Sequence, residues 1–245
     1  MEKELTFEHV PPKKAFNDKP IFLKMMESLL SETKKTKGKT NQRGFGEYTL
    51  CKKCNNETGA WYAKSYIDFV YQSFCFLSKL SEPKQNQILL PFHIYPLRII
   101  KQIICMFFSV NGNLFCDIHP NLVSFVLNKE KIRLKCGVKI YCYLTNTTFI
   151  KRCGIASMII QDKGIFVFSE ITYAPLGLIM TIDSKPPDDR LCDISYFANY
   201  EYNYCDTFFL NIPFLPANTP FPIDFRTEKE IGYENIKKIK HYFNI

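Results

Sequence analysis

Between residues 138 and 183, four apolar runs follow one another with very little between them: VKIYCYLT, FIKRCGIASMII, GIFVFSEITY and LGLIMTID. They are rich in β-branched and aromatic residues, which fit a pleated, half-buried surface. The links between them carry turn chemistry (Asn-Thr, Asp-Lys-Gly, Ala-Pro). A parallel pairing needs a crossover of about a dozen residues or more. The short spacing therefore favours an antiparallel meander over βαβ units. DTFFLNIPFL, at 206–215, adds a further strand, and the stretch 213–226, with four prolines, reads as an ordered irregular segment.

The rest of the chain changes period. Tyr62, Tyr66, Phe69, Val70, Phe74 and Leu77 recur at spacings of mostly three and four, so residues 60–80 predict a helix. PLRIIKQIICMFF, from 96, predicts a buried helix, and HPNLVSFVLN, from 119, a shorter one that starts at His119-Pro120. IFLKMMESLLS, at 21–31, has helical apolar spacing; 32–46 reads as a loop. LTFEHV reads as a short strand that ends at Pro11 and Pro12, neither of which can donate a ladder hydrogen bond. EYTLC is a second short strand. Ile236, Ile239 and Phe243 share one face of a C-terminal helix. SEPKQNQ, at 81–87, has no apolar side chain apart from Pro83 and marks a boundary between residues 1–82 and 83–245. The expected class is α+β, with a larger, mainly antiparallel C-terminal domain.

Composition closes off several classes. With 46% hydrophobic and 15% aromatic residues the chain is not intrinsically disordered. Its 10 Gly and 14 Pro show no period, which excludes collagen-like structure. No apolar run reaches the roughly 18 residues of a membrane span, and no leader-like apolar run opens the chain, so the expectation is a cytoplasmic protein with no membrane partner and reduced thiols. Of the 10 cysteines, eight are expected to pack as small hydrophobes. Cys51 and Cys54 stand apart in a polar CKKCNN setting. His93, His119 and His241 belong to no motif and are expected to be structural.

The charge is local. Lys34, Lys35, Lys37, Lys39, Arg43, Lys52 and Lys53 face only Glu47 within residues 34–53, so seven cations against one acid place +6 of the net +8 in one stretch. Such a strip suits a polyanion such as nucleic acid; taken alone, it also fits a solvated loop.

Three pieces of the first 60 residues gain meaning together: Glu8-His9-Val10-Pro11, the basic loop with Asn41, and Leu50-Cys51-Lys52-Lys53-Cys54-Asn55 leading into the 60–80 helix. In this order the chain resembles, over roughly residues 5–80, the HNH (ββα-metal) endonucleases, whose site is built from two strands and a helix around one metal ion. The resemblance implies a small ββα N-terminal domain and hydrolysis of phosphodiester bonds, in DNA ahead of RNA. It implies His9 as general base, Glu8 and Asn55 on a divalent cation (Mg²⁺ or Mn²⁺), and Asn41 or Asn17 orienting the imidazole. The basic strip would hold phosphates, and the setting would be that of phage or defence nucleases. Many members carry a second CxxC that completes a structural zinc; none precedes His9 here, so a zinc on Cys51 and Cys54 would need distant ligands. The chemistry suits these residues: a neutral imidazole titrates near the operating pH, and carboxylate and amide oxygens suit a hard cation. Two other readings stay open. One is a non-catalytic nucleic-acid-binding or interaction module with a degenerate HNH fold. The other makes residues 83–245 a sensor or assembly domain, acting through a homo-oligomer or a protein partner.

Overall fold

The computed structural model describes residues 4–23, 38–79, 88–134, 137–160, 164–235 and 237. It is an α+β protein with antiparallel sheets.

β1 (Leu5–His9) and β2 (Ile21–Leu23) open the chain, followed by β3 (Lys39–Asn41) and β4 (Gly46–Cys51). β2 pairs with β3, and β1 pairs with β4, both antiparallel. These short pairs correct two expectations. Residues 21–23 are strand rather than helix, with the remainder of the 21–31 prediction outside the described residues. Residues 39–41 are strand rather than loop. Three-residue strands are too short to show a period. β4 runs directly into a helical column: α1 (Lys52–Thr58), a wide π turn at Gly59–Ala63, and α2 (Lys64–Lys79). The aromatic stripe buries Tyr62, Tyr66, Phe69 and Val70 as its spacing predicts, while Phe74 stays half exposed.

β5 (Ile88–Ile94) pairs along its whole length with β11 (Asp206–Ile212). Its Pro91 breaks the strand pattern in the sequence, and a strand with one open edge tolerates a residue without an N–H. Then come α3 (Pro96–Ile118), broken at Gly112 where φ is +74°, and α4 (Pro120–Leu127), with Pro120 at its first position. α3 is the axis of the protein: Leu97, Ile99, Ile100, Ile103, Ile104, Met106 and Phe107 are all fully buried. By length and hydropathy α3 could cross a membrane, yet most of it is buried inside the protein.

β6 (Val138–Leu144), β7 (Lys151–Ile160), β8 (Gly164–Tyr173), β9 (Leu176–Ile182) and the short β10 (Cys192–Asp193) form one antiparallel sheet in the order β10-β6-β9-β8-β7. The four runs thus pair as their spacing predicts. Each face is covered. Ile140, Cys142, Leu144, Leu178 and Met180 join the α3 core. Tyr141, Tyr143, Phe166, Phe168 and Ile179 pack under Leu191, Leu215 and Phe225 from the segments that cross the other face. α5 (Glu228–Ile231) starts on a capping box between Thr227 and Glu230; most of the predicted C-terminal helix, His241 included, lies outside the described residues, as does the boundary at 81–87. On either side of that boundary the apolar core is continuous, from Val10, Phe45 and Phe69 through α3 to Leu210 and Phe214. Of the expected packing cysteines, Cys105 and Cys142 are buried, whereas Cys75 is exposed on α2, and Cys136 is not among the described residues.

Candidate active site and nucleic-acid interface

The β1–β4 pair sets the register of the site: Phe7 faces Tyr48, Glu8 faces Glu47 and His9 faces Gly46. Cross-strand partners share a face and neighbours along a strand alternate. His9 and Phe7 therefore share one face, with ring centroids 4.9 Å apart, and Glu8 points to the other. α1 leaves β4 without a linker, and Asn55 ties it back to β1, its Nδ2 donating to Thr6 Oγ1 at 3.0 Å and to the Phe7 carbonyl at 3.4 Å. Two antiparallel strands and a helix are thus stitched into one unit.

His9 stands at the end of β1, and its Nε2 lies 2.8 Å from the backbone carbonyl of Arg43. A carbonyl only accepts, so Nε2 carries the proton and the lone pair of the neutral ring is on Nδ1. Burial pushes the imidazole below its usual titration range; the Arg43 carbonyl draws it back up, and the Lys13 and Arg43 charges push it down again.

Both asparagines act on the loop that supplies that carbonyl. Asn17 is fully buried. Its Nδ2 donates to the carbonyls of Pro11 (2.7 Å) and Phe45 (2.6 Å), and its Oδ1 accepts from the Phe45 N–H at 2.6 Å. Gly44, at φ +85°, lets the backbone pass against Asn17, where a Cβ would strike the Asn17 carbonyl. Asn41 Oδ1 accepts from the Arg43 N–H at 3.2 Å. Neither amide touches the imidazole, contrary to the expectation that one would orient it directly; they hold residues 43–45, and Arg43 holds His9.

Glu8 is buried, and the Ser109 hydroxyl of α3 donates to its Oε2. Burial raises its carboxyl from 4.5 to about 7, with the Ser109 bond pulling the other way. A buried carboxyl in this state takes up either a proton or a cation. Its oxygens and the Asn55 amide oxygen are donors suited to a hard divalent ion that completes its shell with water and phosphate. Cys51 and Cys54 serve differently. Their sulfurs are 3.1 Å apart, and Cys51 Sγ caps α1 by accepting from the Cys54 N–H at 3.4 Å. Among the described residues no group of three or more His, Cys, Asp or Glu is placed to share a metal.

Of the basic strip, Arg43, Lys52 and Lys53 are exposed and Lys39 lies in β3; Lys34, Lys35 and Lys37 fall outside the described residues. Three participants carry no local sequence signal. Lys13 is near enough to act on His9 electrostatically. Ser109 and Arg152 arrive from far along the chain: Arg152, on β7, pairs with Glu47 and donates to the Ser109 carbonyl at 3.2 Å. Val10, Phe45, Gly46, Glu47, Ser109 and Arg152 line a small cleft there.

Compared with family models, curated proteins and solved structures, the chain matches none.

Proposed function

We propose that this chain is a metal-dependent endonuclease of the HNH type that hydrolyses phosphodiester bonds in nucleic acid, with DNA ahead of RNA. The observation that carries the reading is the His9 imidazole, fixed through Nε2 by the Arg43 carbonyl at the end of a strand pair that leads directly into a helix. A ring so held presents Nδ1 as a proton acceptor to an attacking water, and the Arg43 carbonyl stabilises the imidazolium that results. Lys13 and Arg43 supply positive charge beside the ring for a phosphate. Of the metal ligands that the resemblance implies, Glu8 turns to Ser109 on the face of β1 away from His9 and Asn55 reaches Thr6 and Phe7; a divalent cation, Mg²⁺ or Mn²⁺, held by them would supply charge for the developing phosphorane. Asn17 and Asn41 are positioning residues that keep the 43–45 loop in place.

The test is cleavage of plasmid DNA, linear duplex DNA, single-stranded DNA and RNA by the purified chain with Mg²⁺ or Mn²⁺. Cleavage that depends on the metal and is lost in His9→Ala, with the circular dichroism spectrum unchanged, is the expected result; typical losses on removing a general base are about 10²- to 10⁴-fold. Intact substrates with both metals overturn the reading. The Ser109 bond to Glu8 favours one alternative: a non-catalytic nucleic-acid-binding protein on the same fold, whose affinity falls with salt and is indifferent to His9→Ala.

A further inference from the structure

We propose that the substrate form taken by this site is single-stranded nucleic acid, with Tyr48 as the platform on which a base stacks beside the scissile phosphate. The inference rests on the nuclease reading above and adds the substrate class. Tyr48, Phe7 and His9 form a row on one face of the β1–β4 pair. Tyr48 meets Phe7 edge to face at 5.4 Å, and Phe7 meets His9 in the same manner at 4.9 Å. The inner rings are half-buried, while Tyr48, at the outer end, is 59% exposed. A large ring left in solvent at the rim of the imidazole of the nuclease reading offers an apolar surface that the described residues leave open.

The surrounding charge says what would cover it. Lys13 and Arg43 act on His9, and the exposed Lys52 and Lys53 follow directly from the end of β4. Glu47, the neighbour of Tyr48 and the acid that would repel a phosphate, is paired with Arg152. Exposed cations that flank an exposed aromatic ring along the chain match a polyanion whose bases are free to leave their stack. In a duplex both faces of each base are already stacked, so Tyr48 would gain nothing from it; an unpaired base has an open face.

The experiment uses the full chain, in calcium or chelator to stop cleavage, and fluorescence anisotropy with a thymidine oligonucleotide of about 20 nucleotides and a duplex of equal length. Tighter binding of the single strand is expected. Tyr48→Ala should weaken single-strand binding roughly 5- to 100-fold, the range of one lost base–aromatic stack, with duplex binding changed less than about two-fold and Tyr48→Phe restoring affinity. Unchanged single-strand binding in Tyr48→Ala, equal loss for the duplex, or no rescue by Tyr48→Phe overturns the proposal; capture of a protein partner in place of nucleic acid does the same. The two readings fail separately. Duplex cleavage that is indifferent to Tyr48→Ala removes the platform and keeps the nuclease. Tyr48-dependent single-strand binding without cleavage of any substrate supports the platform and removes the nuclease.

Discussion

Asn17 shows how much one side chain can organise. With no exposed surface it spends both amide hydrogens and its oxygen on Pro11 and Phe45. Those two residues flank the places where the chain leaves β1 and enters β4. Truncating it strands the Pro11 carbonyl and the Phe45 N–H in a dry setting, each of which costs about 1–3 kcal/mol when left unpaired, while the Phe45 carbonyl keeps the Val10 N–H at 2.9 Å. Asn17→Ala is therefore expected to lower unfolding free energy by about 2–4 kcal/mol in urea titrations. In the nuclease reading it should also cut cleavage more than Asn41→Ala does, because Asn41 holds the same loop by one exposed bond. Equal and small effects of the two substitutions would mean that the 43–45 loop keeps its shape without Asn17.

The five-stranded sheet carries a buried ionic element of its own. Glu170 on β8 is fully buried; it accepts from Tyr143 on β6 (2.9 Å), from Thr172 (2.7 Å) and from the Ile223 N–H (2.6 Å), with Lys151 of β7 at 4.0 Å. Lys151 in turn donates to the Phe221 carbonyl at 2.9 Å. Three strands and the proline-rich segment are thereby clamped on one carboxylate. Gly177 on β9 makes room for it, since a Cβ there would fall inside the Tyr143 ring. Glu170→Ala leaves a buried ammonium without its counterion, and breaking a buried pair costs about 3–5 kcal/mol. The expected sign is a lower denaturation midpoint together with earlier proteolysis in 213–226. A midpoint shift without new cleavage there would detach the clamp from that segment.

At the scale of the whole molecule, titrating groups sealed around α3 set the response to alkali. Burial raises the thiols of Cys105 and Cys142 and the phenols of Tyr62 and Tyr66, with hydrogen bonding to Cys192 the largest cause at Cys142. Groups raised in the folded state keep their protons there while the unfolded chain loses them, so their contribution to stability is full below the unfolded thiol value of 9.0 and is lost as pH rises beyond it. Lys101 acts in the opposite sense. It is fully buried, bonded to the Asn128 and Lys129 carbonyls (2.6 and 3.0 Å), and burial lowers it from 10.5 to about 8. Between those values the unfolded chain binds the extra proton, and stability rises with pH. Lys101→Met should therefore make the alkaline loss steeper, read as the difference in urea midpoint between about pH 8 and about pH 10 for the two proteins. An identical slope would show that Lys101 titrates normally. The same scale ties the candidate site to the rest of the chain, because Ser109 and Arg152 reach it from α3 and β7.

What the sequence determined by itself was whatever depends on near neighbours. The meander from 138 to 183, with its apolar runs split by turn residues, the three-to-four stripe of 60–80 and the buried helix from 96 are local patterns, and the backbone follows them. Elements whose pattern is too short or broken escaped it: β2 and β3 at three residues each, and β5 with Pro91 in its middle. The tertiary structure alone decided how the site is held. That Arg43 fixes His9 through its carbonyl, that Asn17 bonds Phe45, 28 positions on, and that Glu8 turns inward to Ser109, 101 positions away, depends on how distant elements pack, and no local period records it. Backbone carbonyls carry no residue identity, and a burial that changes a carboxyl exists only once α3 covers the strand pair.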